Sequence, residues 1–199
     1  MISIKTLYLD YDGVIANTIK CIVGLYNEDH RYYPKFIPVD WTTVNTWRFE
    51  ELSLEPYSNI DKYFSQPRFF ENVEWMDNAE EVIQRLSKKY EIKVVSLGTH
   101  ANLVGKQLWL INNMPYAKFI PVSIDNYTDK KHIDMSDGVF FDDSITNLIN
   151  SNAAEKVCFG EVYSWNKNWQ GERCTNWYDV EKYLRDLEFE NGKSEIYKC

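Results

Sequence analysis

Short apolar runs rich in β-branched and aromatic residues recur along this chain, and stretches with helical periodicity separate them. The apolar runs cover residues 4–10, 91–96, 119–122, 138–142 and 156–159. The helical stretches, with apolar positions three or four residues apart, cover residues 18–26, 79–86, 103–112, 145–150 and 179–187. This alternation predicts an α/β fold with a Rossmann-like, mostly parallel sheet that helices cover on both faces.

Residues 17–78 interrupt the alternation. The segment is rich in aromatic residues and has no period-two rhythm after its helical start. We interpret it as a small helical cap inserted after the first strand, which leaves residues 1–16 and 79–199 as the α/β core. Most of its rings are expected to form a small apolar core, and Trp47, Phe49 and Phe70 are candidates to stack on a flat ligand such as a nucleobase.

Two acidic pairs end apolar runs. Asp10 and Asp12 follow the run Thr6–Leu9, and Asp142-Asp143 follow Val139-Phe140-Phe141. Taken singly, either pair is typical of a solvated loop end or a helix N-cap. Both pairs, however, stand at the carboxyl ends of predicted parallel strands, where ligands bind in such sheets. Carboxylates are the ligands that Mg²⁺ prefers, so the two pairs together predict a magnesium site.

Composition narrows the classes of partner. The chain has 199 residues, 22 basic and 30 acidic, with a formal charge of −8 and no basic stretch. This argues against binding a nucleic-acid duplex, whereas a small phosphorylated substrate is compatible with it. No apolar run approaches the roughly 20 residues that span a bilayer, so a cytoplasmic protein with no membrane partner is expected. The four cysteines lack metal-ligand spacing and are expected to be free thiols.

Four short motifs fall in a fixed order along the chain. They are Asp10-x-Asp12-Gly13, then Ser96 after Val94-Val95, then Lys130, then Asp142-Asp143. The pattern resembles that of the haloacid dehalogenase-like (HAD-like) phosphohydrolases and covers residues 4 to about 160. In this resemblance Lys131 is an alternative to Lys130.

A narrower resemblance is to the 5′(3′)-deoxyribonucleotidases. It rests on Phe69-Phe70-Glu71-Asn72-Val73, on Ser96 followed by Lys106-Gln107-Leu108-Trp109, on Asp129-Lys130, and on Tyr163-Ser164-Trp165-Asn166 followed by Arg173 and Trp177. Two positions depart from the family pattern: Leu97 stands where Pro is frequent, and Thr128 where some members have a basic residue. The resemblance implies that the chain removes the phosphate of deoxynucleoside monophosphates with Mg²⁺, beneath a small helical cap.

The resemblance also implies roles for the residues of the four motifs. Asp10 would attack phosphorus and form an aspartyl-phosphate, and Asp12 would act as general acid and base. Ser96 and Lys130 would bind the phosphate. The metal ligands would be Asp10, Asp12 through its backbone carbonyl, Asp142 and Asp143. Four carboxylates and one lysine sum to −3, so a phosphate dianion needs a divalent cation to dock.

Three other interpretations compete with this one. The same chemistry would serve a sugar phosphate or another small phosphomonoester, and a catalytically idle domain would only bind a ligand. A phosphatase acting on nucleic-acid ends is disfavoured by the acidic balance. The sequence does not decide between a monomer and a homodimer, or which base, sugar or phosphate position is preferred.

Overall fold

The computed structural model describes residues 4–196, and their side chains as far as residue 189. Within these residues, six parallel strands form one sheet in the order β3-β2-β1-β4-β5-β6. The strands are β1 (Thr6–Leu9), β2 (Glu91–Gly98), β3 (Lys118–Ser123), β4 (Gly138–Asp142), β5 (Glu155–Phe159) and β6 (Glu172–Cys174). The predicted α/β fold with a parallel sheet is therefore confirmed.

All five strands expected from the apolar runs are present, and the bounds of β4 match the expectation. The edge strand β6 was not expected. It has only three residues, of which Cys174 alone is buried, so it leaves no readable alternation in the sequence.

Within residues 4–196, seven α-helices connect and cover the strands. They are α1 (Thr18–His30), α2 (Tyr57–Tyr63), α3 (Pro67–Asn72), α4 (Ala79–Leu86), α5 (His100–Asn113), α6 (Ile145–Asn150) and α7 (Trp177–Ile196). The bounds of α4 and α6 are those that periodicity predicts. Helix α5 begins three residues earlier than expected, because the Thr99 hydroxyl accepts a hydrogen bond from the Asn102 amide and caps its first turn.

The segment 17–78 contains α1, a short 3₁₀ helix at Trp41–Thr43, α2 and α3, and none of the six strands. Its two ends lie side by side. The Asn17 amide donates to the Glu74 carbonyl at 2.8 Å, and the Met76 amide donates to the Ile15 carbonyl at 2.7 Å. Adjacent ends are what an insertion into a continuous core requires, although the division into core and cap itself stays a prediction.

Two apolar clusters cover the two faces of the sheet. Leu7 and Leu9 point into the larger one, which includes residues of α1, α4, α5 and α7, whereas Tyr8 points into the smaller one with Leu148 of α6. This is the alternation of side chains along a strand. The central strands are buried on both faces, so a ligand can approach them only at their ends, and in parallel sheets ligands bind at the carboxyl ends.

No helix within residues 4–196 is long and apolar enough to cross a membrane. Cys21, Cys158 and Cys174 are buried free thiols, in agreement with the expectation, and Cys199 lies outside the described residues.

Two buried tyrosines on or beside β1 make a matched pair for a stability test. The Tyr8 hydroxyl donates to Asp137 at 2.7 Å, whereas the Tyr11 hydroxyl is the one buried side-chain polar atom without a partner in the described part of the chain. An unpaired buried hydroxyl costs about 1–3 kcal/mol. We predict that Tyr11→Phe raises the free energy of unfolding by about 1 kcal/mol, while Tyr8→Phe lowers it by about the same amount. Urea denaturation of both variants measures this, and equal losses of stability would show that the Tyr11 hydroxyl is satisfied.

Candidate active site

The loop after β1 brings its two carboxylates to the carboxyl end of the sheet. The Asp10 amide donates to the Phe141 carbonyl at 2.9 Å and so continues the pairing of β1 with β4 for one more residue. Gly13 then turns the chain with a positive φ of 69°, a conformation that favours glycine. A Cβ at this position would lie 3.0 Å from Asp143 Oδ2, so glycine also lets this loop approach the second acidic pair.

Asp142 is the most enclosed carboxylate of the site, with no exposed surface. Its Oδ2 accepts a hydrogen bond from Lys130 Nζ at 2.6 Å, and its Oδ1 accepts one from the Ser144 amide at 2.8 Å. The Asn147 amide group donates to both oxygens, at 3.2 and 3.1 Å. These donors offset the loss of hydration that burial imposes on a charge.

Asp10 shares Lys130 with Asp142. Its Oδ1 accepts hydrogen bonds from the Tyr11 amide and from Lys130 Nζ, both at 2.7 Å. The pKa of Asp10 is raised to about 7: burial raises it most, Asp142 and Asp12 add to the rise, and Lys130 and Lys106 oppose it. Burial alone would lower the pKa of Lys130, but its two carboxylate partners outweigh burial and raise it. Lys130 is therefore a fixed cation between two acids.

Lys130, and not Lys131, occupies this position. The Lys130 side chain is buried, whereas Lys131 is exposed one residue further along the chain. Asp129 fixes this local turn, because its carboxylate accepts hydrogen bonds from the Lys131 amide at 3.1 Å and from Asn150 at 2.7 Å.

A second buried lysine, which the sequence analysis left without a role, lies on the other side of the site. Lys106 of α5 forms an ion pair with Asp12 and donates to Ser96 Oγ at 2.9 Å. Thr18 Oγ1 donates to the other oxygen of Asp12 at 2.8 Å. The expected count of one lysine was wrong. Four carboxylates and two lysines sum to −2. The additional lysine is Lys106, which lies on the mostly apolar face of the amphipathic helix α5.

Three carboxylates are arranged as a metal could use them. Asp10, Asp142 and Asp143 each offer an oxygen within 4.8 Å of the others, and all three are buried. A buried set of hard oxygen donors fits Mg²⁺. The Asp12 side chain is not part of this set, and its two oxygens are held by Lys106 and Thr18, which leaves the backbone carbonyl as the predicted contribution of Asp12.

Asp143 carries the least compensated charge of the three. Burial raises its pKa well above the usual range for a carboxyl group, and the neighbouring Asp142 and Asp10 raise it further. The indole N–H of Trp165, which donates to Asp143 Oδ2 at 3.0 Å, acts in the opposite direction. Trp165 lies in the loop after β5, where the sequence analysis gave it no site role.

Two adjoining cavities open above these carboxylates, and Asp12, Trp47 and Leu97 line both. One has a volume of about 340 Å³ and contains Asp10, Lys130, Asp143 and Trp165 in its wall. The other has about 230 Å³, and its wall includes Tyr57, Asp61, Phe64, Ser65 and Thr99. The indole of Trp47 therefore stands between the carboxylate site and a second chamber.

The structure does not bring the other two candidate stacking rings to these cavities. Phe49 is only 2% exposed and packs beside Trp47 and Phe64. Phe70 packs against α5, where a Cβ on Gly105 would lie 2.0 Å from its ring. Both rings are part of the packing of the segment 17–78. Whether an aromatic residue of this segment faces a cavity depends on its burial, which residue type alone does not reveal.

Comparisons with known proteins agree with this fold. The family model for "5′ nucleotidase, deoxy (Pyrimidine), cytosolic type C protein" matches residues 3–188. The 5′(3′)-deoxyribonucleotidase of Bacillus subtilis strain 168 is 32% identical over 182 residues, covering 90% of this chain and 98% of that protein. The solved structure of a predicted phosphatase from Clostridium acetobutylicum matches with a TM-score of 0.66 at 13% identity, covering 92% of this chain and 99% of that one.

A further solved structure, that of YfnB from Bacillus subtilis bound to magnesium, matches with a TM-score of 0.60 at 14% identity. It covers 92% of this chain and 99% of that one. The fold is thus that of the HAD-superfamily hydrolases. Within them, the chain belongs to the deoxy 5′-nucleotidase, cytosolic type C, family. It is a 5′(3′)-deoxyribonucleotidase-like phosphatase, and hence a phosphoric monoester hydrolase, as its sequence motifs predicted.

Because folding raises the pKa of Asp143, the stability of the metal-free protein should depend on pH. A carboxyl group whose pKa is raised by folding stabilises the fold below its unfolded pKa, and this contribution is lost as pH rises through the folded pKa. We predict that Asp143→Asn increases stability in EDTA, and that the increase grows as the pH rises above about 4, the pKa of an aspartate in the unfolded chain. Thermal unfolding at a series of pH values measures it.

Asp186→Asn, which removes an exposed carboxylate of α7, is the control and should leave the pH dependence unchanged. A loss of stability in Asp143→Asn at every pH would mean that the site does not strain the metal-free fold. With Mg²⁺ present the wild type should gain more stability than Asp143→Asn, because only the wild type keeps all three carboxylates.

Proposed function

We propose that the chain hydrolyses the phosphate of deoxynucleoside monophosphates with Mg²⁺ and through an aspartyl-phosphate on Asp10. The observation that carries this proposal is the placement of buried Asp10. It contacts Lys130, lies within 4.8 Å of two further carboxylates, and forms part of the wall of a cavity that Trp47 also lines. A nucleophile, charge neutralisation and a ring for the base therefore converge on one volume.

Asp10, Asp142, Asp143 and the backbone carbonyl of Asp12 would hold the Mg²⁺. When bound, the ion would neutralise charge on the carboxylates and on the phosphate that must dock among them. The two lysines leave the site at −2, and each uncompensated pair of unit charges at about 4 Å costs on the order of 4 kcal/mol at an effective dielectric constant of 20. The protein's own cations are too few for a phosphate dianion.

Asp10 is positioned to attack. Its Oδ1 is held by the Tyr11 amide and Lys130, and its Oδ2 has no hydrogen bond within the described residues. One carboxylate oxygen would form a bond to phosphorus while the bond from phosphorus to the sugar oxygen breaks. Ser96 and Lys130 would bind the phosphoryl oxygens during this transfer.

Asp12 would donate a proton to the departing sugar oxygen. It would then take a proton from the water that attacks phosphorus. This attack breaks the bond between phosphorus and Asp10 and releases inorganic phosphate. Lys106 and Thr18 hold the two oxygens of Asp12 and so fix its orientation between these steps. Lys106 also links Asp12 to Ser96, so the proton donor and the phosphate ligand share one cation.

Residues 17–78 would form the cap over this end of the sheet. Trp47 stands between the two cavities, so a base in the second chamber would stack on its indole while the phosphate lies near Asp10. The family description, which specifies deoxy pyrimidine nucleotides and a cytosolic type, supports this substrate class and a cytoplasmic location.

Phosphate release from a panel of deoxynucleoside 5′- and 3′-monophosphates, ribonucleotides and sugar phosphates tests the function. We expect turnover of deoxynucleoside monophosphates with Mg²⁺, none after EDTA treatment, and recovery when Mg²⁺ is restored. Asp10→Asn should lose at least about a thousandfold, or roughly 4 kcal/mol of barrier, because an amide cannot be the nucleophile. Asp186→Asn is the matched control. Retention of a tenth of the activity in Asp10→Asn would exclude the covalent mechanism, and a preference for sugar phosphates would replace the nucleotidase proposal.

The role of Trp47 generates a selectivity prediction. Stacking contributes about 1–3 kcal/mol per base, so Trp47→Ala should lower kcat/KM on a deoxynucleoside 5′-monophosphate by about tenfold or more. On deoxyribose 5-phosphate, which has no base, the loss should be small. Trp41→Ala, at a partly exposed ring of the same segment outside both cavities, is the control. Equal losses on both substrates would mean that Trp47 only holds the segment together.

A further inference from the structure

The indole of Trp165 provides the single hydrogen bond that Asp143 receives within the described residues, at 3.0 Å from Nε1 to Oδ2. We propose that Trp165 is a positioning residue that holds the Asp143 carboxylate in the orientation needed to bind a divalent cation. This inference rests on the magnesium site of the proposed function and goes beyond it, because it assigns the site a determinant outside the four acidic positions.

The three candidate metal ligands differ in how firmly they are held. Asp142 accepts hydrogen bonds from Lys130, Ser144 and Asn147, and Asp10 is held by Lys130 and the Tyr11 amide. The Asp143 carboxylate accepts a hydrogen bond from the Trp165 indole alone among the described residues. Loss of one donor therefore leaves another to orient Asp142 or Asp10, whereas at Asp143 it removes the one hydrogen bond that orients the carboxylate within the described residues.

The surroundings of Asp143 make that constraint necessary. Asp10 and Asp142 repel it from within a buried site, so an unrestrained carboxylate would rotate away from them. On the side of Oδ2, the Gly13 backbone comes so close that a Cβ there would be 3.0 Å away. The indole N–H satisfies Oδ2 in this confined position, which leaves Oδ1 for a cation.

Trp165 is itself fixed from two directions. Its ring stacks on Tyr163, with centroids 4.3 Å apart and planes 1° from parallel, and it meets Trp47 edge-on at 5.6 Å. The adjacent Ser164 amide donates to Asn45 Oδ1 at 2.9 Å, which ties this loop to the segment 17–78. The orientation of the Asp143 carboxylate therefore depends on the position of this loop and of the segment 17–78.

The loop is anchored to the sheet as well. Arg173 of β6 donates to the carbonyls of Gly160 at 3.0 Å and of Asn166 at 2.9 Å. The fully buried Asn166 side chain caps the turn by accepting from the Tyr163 amide at 2.9 Å. A positioning residue has to be held rigidly in this way, because a mobile donor could not keep a repelled carboxylate in one orientation.

Trp165→Phe is the variant that tests the proposal, since it keeps an aromatic ring for Tyr163 and Trp47 and removes only the donor. Trp169→Phe is its matched control: it removes an indole N–H in the same loop that donates to the Glu172 carbonyl at 2.8 Å, away from the carboxylates. The readout is Mn²⁺ affinity without substrate, from the electron paramagnetic resonance signal of the free ion. Outer-shell partners of metal ligands contribute about 10–100-fold to affinity, so Trp165→Phe should bind Mn²⁺ at least about tenfold more weakly than Trp169→Phe and the wild type.

Thermal unfolding of the metal-free variants shows that the fold is kept, and Trp165→Leu, which also lacks a donor, replaces Trp165→Phe if the latter does not fold. The Mg²⁺ concentration for half-maximal activity should rise in parallel, while kcat at saturating Mg²⁺ recovers to within about threefold, a separation that general damage to the fold would not produce. Unchanged Mn²⁺ affinity in a folded Trp165 variant would overturn the role of the indole alone. Absence of Mn²⁺ binding in the wild type would overturn the magnesium site as well, and with it the proposed function.

Discussion

The buried ion pairs of Lys130 with Asp10 and Asp142 are the interaction on which the site depends. Lys130 Nζ lies 2.7 Å from Asp10 and 2.6 Å from Asp142, and the three side chains are almost completely enclosed. Without the lysine, two carboxylates at the ends of adjacent strands would share a buried volume with Asp143, and one or more would have to take up a proton. Removing one partner of a buried pair costs about 3–5 kcal/mol, because the remaining charge is left unpaired. The close approach of these carboxylates therefore costs electrostatic free energy, which a bound divalent cation would offset. The same repulsion favours the binding of such a cation.

The topology of the sheet explains why these groups meet. Strands β1 and β4 are neighbours at the centre of the sheet, so the residues that follow them emerge side by side. The adjacent β2 supplies Ser96, and α5, which follows β2, returns Lys106 to the same point. The outer strands β5 and β6 position the loop that contains Trp165. The functional side chains thus come from several elements that meet at the carboxyl end of the sheet, and the rigidity of the parallel sheet fixes their spacing.

Much of the core could be predicted from sequence because its signals are local. The apolar runs and helical periods placed five strands and the helices α4 and α6, and the acidic pairs marked the carboxyl ends of β1 and β4. What the sequence analysis missed depends on contacts between distant residues. Lys106 is 94 positions from Asp12, and only the packing of α5 shows that its ammonium group is buried against that acid. The same holds for Trp165 and Asp143, and for Phe49, whose burial removes it from the cavity. A lysine on the apolar face of α5 was the one readable signal for the second cation.

The most direct test of the account is a crystal structure of the protein with Mg²⁺ and beryllium fluoride, which mimics a phosphoryl group bound to a carboxylate. We predict that the beryllium is bound to a carboxylate oxygen of Asp10, that Lys130 contacts both Asp10 and the fluoride ligands, and that Asp142 or Asp143 ligates the Mg²⁺. Beryllium fluoride on another residue, or a metal ion that none of these carboxylates binds, would contradict the central claim that Asp10 is the nucleophile of a magnesium-dependent phosphatase.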